Sequence, residues 1–117
     1  MTEDSLVRLR HALRIFAEER DWEAFHTPKN LAMALTGEVG ELVEHFQWLT
    51  AEQSATLDES VKEEVALEMA DVLLYLVRMA DLLDIDLADA AARKLLINEQ
   101  RYPADKVRGS AKKYSKF

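Results

Sequence analysis

The sequence predicts an all-α protein, a four-helix bundle, on three observations. Apolar residues recur at spacings of three and four along almost the whole chain, the period of an amphipathic helix, and no stretch alternates with period two. Three Gly and two Pro are too few for the turns of a β-sandwich or barrel. The interruptions that do occur are short, as a bundle of neighbouring helices requires.

Each element has a local reason. Leu6, Leu9, Leu13 and Phe16 form one stripe of a first helix. Residues 21–27 read as a connection that ends on Thr27 and Pro28, an N-cap followed by a first-turn proline. The second helix is predicted to run from there to about Trp48, with Leu31, Leu35, Val39, Leu42, Phe46 and Leu49 on its apolar face. Residues 50–58 are polar and predict a loop. Asp58, with Val61 just beyond, predicts the start of a third helix that reaches about Leu83. Asp84-Ile85-Asp86 interrupts it, and Asp86 can cap a fourth helix from Leu87 to about Arg101, which Pro103 stops. Residues 1–105 read as one domain and 106–117 as a basic tail.

Composition narrows the function classes. Hydrophobic residues make up 49%, so the chain has the means to fold. It contains no Cys, which excludes disulfide scaffolds, thiolate metal sites and cysteine nucleophiles. The longest apolar run, Val72 to Val77, is far short of the roughly 18 residues of a membrane span. The N-terminus begins with acids and lacks the apolar core of an export signal, so a cytoplasmic location is expected. The net charge is −7. Near the C-terminus Arg101, Lys106, Arg108, Lys112, Lys113 and Lys116 face only Asp105, so the body that precedes them is more acidic than the total. Such a body repels nucleic-acid phosphate. It suits cations, or a phosphorylated ligand that arrives with a divalent metal.

The acids are placed with a pattern. Glu38 and Glu41 form an ExxE pair on the second helix, about 60° apart on the helical wheel, with His45 between them in angle. They border the apolar stripe of Leu31 and Leu49. Glu68 and Asp71 repeat the arrangement as an ExxD pair on the third helix, near Glu64 and Tyr75. From Val65 to Val77 every residue is apolar or aromatic except Glu68 and Asp71. Carboxylates in such surroundings are costly unless they are paired or hold a metal. Lys29, Lys62 and Arg78 are the basic residues of these two helices, and none is expected on the stripe of the acids. A hard divalent cation such as Mg²⁺ takes oxygen ligands, and two facing helices can each offer a pair at i, i+3. The di-iron alternative needs Glu-x-x-His pairs, which the sequence does not supply. Trp22, Phe25 and His26 cluster before the second helix, Trp48 ends it, and Tyr75 follows Asp71 by four. Lys94, Asn98 and Arg101 form a polar stripe on the last helix that could reach a phosphate.

Four segments together carry a family resemblance. They are Glu-Arg-Asp-Trp-x-x-Phe-His-x-Pro-x-Asn-Leu at 19–31, Gly-Glu-Val-Gly-Glu-Leu-x-Glu-x-Phe-Gln-Trp at 37–48, Glu-x-Ala-Asp-Val-Leu-x-Tyr-Leu at 68–76 and Asn-x-x-Arg-Tyr-Pro at 98–103. Over residues 8–105 the chain resembles the MazG-type nucleotide pyrophosphohydrolases, closest to the small stand-alone dCTP pyrophosphatase branch of the all-α NTP pyrophosphatases. The resemblance implies one or two Mg²⁺ per site held by Glu38, Glu41, Glu68 and Asp71, with Glu41 as the catalytic base. It implies hydrolysis of a nucleoside triphosphate, dCTP or a modified dCTP, to the monophosphate and pyrophosphate. It implies a nucleoside pocket lined by Trp22, His26, Trp48 and Tyr75, with Lys94 and Asn98 near phosphate and sugar, and a homo-oligomer, a tetramer in the first instance. Other substrates on the same scaffold (dATP, dUTP, phosphoribosyl-ATP) and a non-enzymatic acidic interaction module are the alternatives.

Overall fold

The structure, a computed structural model, describes residues 4–110. Among them it contains six helices and no strand: α1 (Ser5–Glu19), α2 (Pro28–Glu44), α3 (Ala51–Ser54), α4 (Glu59–Leu82), α5 (Leu87–Arg101) and α6 (Ala104–Val107). The all-α reading holds. The chain divides into two compact units, Met1–Ile85 and Asp86–Phe117. In the first, α4 packs along α2 and also against α1. The second contains α5 and α6. Lys112, Lys113 and Lys116 of the basic tail lie outside the described residues.

The helix starts follow side-chain chemistry. Asp4 accepts from the amide of Leu6 at 2.8 Å, Thr27 from that of Asn30 at 3.1 Å and Asp86 from that of Asp89 at 3.0 Å. Asp58 occupies the N-cap of α4, but its side chain makes no capping hydrogen bond.

The ends of α1 and α4 share one device. Asp21 and Asp84 adopt left-handed backbone angles, φ 52° and 54°. The following amides, of Trp22 and Ile85, reach back to the carbonyls of Ala17 and Ala80. This is a Schellman closure with Asp in place of the usual Gly, and Asp tolerates that conformation better than most residues. After α1 it turns the chain so that Trp22 and His26 return toward the helices.

Two expectations need correction. The second helix ends at Glu44 and not near Trp48. Beyond Glu44 the amides of His45, Phe46 and Leu49 bond three residues back, to Leu42 at 3.3 Å, Val43 at 2.9 Å and Phe46 at 2.9 Å, a tightened turn that precedes the extended Thr50. Residues 50–58 are not simply a loop, because α3 occupies part of them. Its capping box is complete, with Thr50 Oγ1 accepting from Gln53 N at 3.1 Å and Gln53 Oε1 from Thr50 N at 2.9 Å.

The core is small. Ala17, Leu31, Val65, Val77 and Ala80 are its buried apolar side chains, whereas Met33, Val43, Leu67, Met69, Leu95 and Leu96 are exposed. Between α1 and α4 the contact is ionic as well as apolar. Arg14 grips Asp81 with two hydrogen bonds, Nη2 to Oδ1 at 2.6 Å and Nε to Oδ2 at 3.1 Å. Arg78 Nη1 donates to Asp81 Oδ2 at 3.2 Å, and Arg10 Nε stands 3.9 Å from Oδ1. The hydrogen bond from Arg14, then the charges of Arg14, Arg78 and Arg10, hold the Asp81 carboxyl below the usual carboxylate range against the opposing effect of burial.

A carboxylate whose pKa is depressed by folding stabilises the fold above its unfolded pKa, and that stabilisation is lost as pH falls through the folded value. Urea midpoints of the wild type should therefore drop more steeply than those of Asp81→Asn as pH is lowered below the ordinary carboxylate range. Parallel pH profiles of the two proteins would refute the role given to this cluster.

Candidate functional site

The seam between α2 and α4 brings the two acidic pairs together. One carboxylate oxygen from each of Glu38, Glu41 and Glu68 lies within 4.8 Å of the others. Glu38 and Glu68 are half-buried and Glu41 is exposed. Glu38 Oε2 and Glu68 Oε2 are buried with no hydrogen-bond donor. Oxygens of this kind are costly to leave unpaired. Burial, then the charges of Glu41 and Asp71 and a hydrogen bond with Glu41, push the Glu38 carboxyl up. Glu68 is pushed up by burial first, then by a hydrogen bond with Glu41 and the charges of Glu41 and Asp71. Asp71 stands outside the tight group but close enough for its charge to act on both.

A divalent cation fits this donor set. The ligands are hard carboxylate oxygens from two helices, and Glu38 and Glu68 each bury one oxygen, Oε2, that no donor among the described residues reaches. Mg²⁺ keeps open positions when it is held by few carboxylates, which leaves room for phosphate oxygens.

A cavity of about 250 Å³ begins where Asp71 ends the acidic seam. Trp22, His26, Tyr75, Asp71 and Arg78 give it its polar and aromatic wall, over an apolar floor that includes Leu31. Phe16 meets Trp22 edge-on at 5.6 Å, and Trp22 meets His26 edge-on at 6.1 Å, so the rings form a continuous wall. Asn30 Nδ2 donates to the carbonyl of Phe25 at 3.1 Å and ties this connection to the first turn of α2.

The structure thus brings Trp22, His26, Tyr75 and Asp71 around one cavity and sets Glu38, Glu41 and Glu68 beside it. Trp48 is elsewhere: it follows α2 and is 86% exposed. Lys94 and Asn98 lie on α5, in the second compact unit, with Lys94 exposed and Asn98 half-buried.

Arg78 was not anticipated and requires a correction. It follows Asp71 by seven residues, so the two share a face of α4 within about 20°. It sits two turns beyond the acids, however, and pairs with Asp81 and with His26 rather than with them. The signal in the sequence was the spacing Asp71, Tyr75, Arg78, which continues the face that begins at Glu68.

Known proteins carry the same pattern. The family model described as MazG-like matches residues 34–117. The chain belongs to the MazG-like family. Within that family it is 47% identical to human dCTP pyrophosphatase 1 over 117 residues, 98% of this chain and 69% of the human protein. It is 47% identical to mouse dCTP pyrophosphatase 1 over 115 residues, 97% of this chain and 68% of the mouse protein. A crystal structure of a pyrophosphatase from Archaeoglobus fulgidus superposes with a TM-score of 0.82 at 39% identity, covering 88% of this chain and 96% of that one. This MazG-like chain has no helix among its described residues that is long and apolar enough to cross a membrane.

Without a cation the acids of this seam oppose one another. Their raised pKa values mean that, in the metal-free protein, stability falls as pH rises through and above the ordinary carboxylate range. Mg²⁺ at a hundred times its dissociation constant should restore about 2.7 kcal/mol, read as a rise in melting temperature. Glu68→Gln should melt higher than the wild type without Mg²⁺ and should lose the Mg²⁺-induced rise. An unchanged rise in that variant would remove Glu68 from the cation site.

Proposed function

We propose that this chain hydrolyses a deoxynucleoside triphosphate, dCTP or a modified dCTP, to the monophosphate and pyrophosphate in a Mg²⁺-dependent reaction. The observation that carries the reading is the seam itself: buried, donorless oxygens of Glu38 and Glu68 beside an aromatic cavity of about 250 Å³. Relatives 47% identical over nearly all of this chain are named dCTP pyrophosphatases.

The residues divide the work along α4. Glu38, Glu41, Glu68 and Asp71 would hold the cation at the phosphate end, as one or two ions. When bound, Mg²⁺ offsets the charge of the triphosphate and of the transition state. Glu41, the exposed member of the group, would accept the proton of the attacking water. The oxygen of that water joins one phosphorus of the α–β anhydride, the bond from that phosphorus to the bridging oxygen breaks, and the monophosphate and pyrophosphate separate. Trp22 and Tyr75 offer flat faces to the base, and His26 offers a polar contact to its edge. Lys94 and Asn98 are assigned to phosphate and sugar.

Assembly belongs to the same proposal. The four-helix bundle expected from the sequence is taken to assemble as a homo-oligomer, a tetramer built of pairs. The exposed Val39, Val43, Leu67, Met69 and Leu73 on α2 and α4 support it, because a monomer rarely leaves so many large apolar side chains in water. Trp48, exposed on one chain, would then complete the pocket of a neighbour. Nucleic acid and membranes are not among the proposed partners, and a cytoplasmic site of action suits a nucleotide-pool enzyme.

Three experiments test this reading. A panel of dCTP, 5-methyl-dCTP, dUTP, dATP, CTP and phosphoribosyl-ATP, scored for pyrophosphate release, should place a cytosine deoxynucleotide first and show no release without a divalent cation. Glu41→Gln should lower turnover about a hundredfold or more. A purine nucleotide ranking first would overturn the substrate, and an active Glu41→Gln would overturn the base. Light scattering at working concentration should give the mass of four chains. The mass of one chain would contradict the assembly.

A further inference from the structure

His26 is held from behind by a charge that is almost completely buried. Arg78 is 5% exposed, and its Nε donates to His26 Nδ1 at 3.2 Å. A guanidinium carries only donors, so Nδ1 must present a lone pair. The single proton of a neutral imidazole is then on Nε2. Burial first, and then the charge of Arg78, lower the pKa of His26 and keep the ring neutral. Nε2 makes no hydrogen bond with the described residues and is not among the buried donorless atoms, so it is open to a ligand in the cavity that His26 lines. Arg78 is itself fixed. Its Nη1 is bonded to Asp81, which Arg14 of α1 grips from the other side.

We infer that Arg78 is a positioning residue that fixes His26 as a one-way hydrogen-bond donor to the ligand, and that this donor selects a pyrimidine with an acceptor at ring N3 over one with a hydrogen there. Cytosine has the acceptor at N3, and uracil has N3–H. The opposite tautomer, with its proton on Nδ1, would present a lone pair to the cavity and favour uracil. A site whose polar group is left without its partner discriminates far more strongly than an apolar wall of the same shape. The inference rests on the proposed nucleotide substrate and adds to it the origin of the base preference.

The test begins on the full-length protein without nucleotide. In ¹⁵N-histidine NMR near neutral pH, the wild-type His26 ring should carry its proton on Nε2 alone. Arg78→Met, which keeps the stem and removes the donors, should give a mixture of tautomers. The ratio of kcat/KM for dCTP over dUTP should fall about tenfold in Arg78→Met. It should recover in Arg78→Lys, which restores a group that can only donate. If Arg78→Met does not fold, His26→Gln and His26→Asn decide the matter. Gln places an amide donor near the position of Nε2 and should retain the cytosine preference, whereas Asn reaches only the position of Nδ1 and should lose it. A wild-type ring protonated on Nδ1, or a dCTP preference that survives equally in both His26 variants, overturns the inference. Failure of the proposed function looks different: the wild type would release pyrophosphate from no nucleotide, whatever the state of the ring.

Discussion

The packing of α4 along α2 is the contact on which the rest depends. It is an apolar seam with carboxylates set into it, and those two facts pull against each other. Leu31 and Val65 gain by leaving water, while Glu38 and Glu68 lose hydration and face one another and Glu41 across the same seam. A carboxyl oxygen buried without a donor works against the gain that a buried aliphatic side chain returns. A fold that tolerates this has placed its strain where a cation can relieve it. The donorless buried oxygens and the raised carboxyl pKa values both follow from that one compromise.

A single face of α4 then orders the chemistry. Glu68, Asp71, Tyr75 and Arg78 succeed one another at spacings of three and four, so the face passes from negative to aromatic to positive over about 15 Å of helix. That gradient matches a nucleotide, whose phosphates need a cation and whose base needs stacking and a defined hydrogen bond. The turn after α1 supplies the opposite wall. The left-handed Asp21 reverses the chain there, and Trp22 and His26 enter the cavity from a loop whose two ends are anchored, by Ala17 and by Asn30. The charge of Arg78 is matched at the far end by Asp81, so the cavity contains no uncompensated cation.

Much of this was legible in the chain because it is local. The starts of α1, α2 and α5 are marked by short side chains that reach an amide two or three residues on, and such contacts can be read from adjacent letters. Glu68 and Asp71 stand out because every residue around them from Val65 to Val77 is apolar or aromatic. The end of α2 was missed because nothing in His45-Phe46-Gln47-Trp48 forbids helix; the turn there depends on Thr50 becoming extended to cap α3. Arg78 was missed for a different reason. Its partners, His26 and Asp81, lie 52 and 3 residues away, and the distant one is brought near only by packing. The position of Trp48 on the surface likewise depends on where α2 stops.

The most direct measurement of the central claim is cation binding at the seam in the absence of any nucleotide. Titration with Mn²⁺, followed by the loss of the free-ion paramagnetic resonance signal, separates binding from catalysis. The account predicts saturable binding by the wild type at one or two ions per chain, displaced by Mg²⁺, and loss of that binding in the Glu38→Gln, Glu68→Gln double variant. Equal binding by the wild type and the double variant would contradict it, because the buried oxygens of the seam would then have no part in holding the ion.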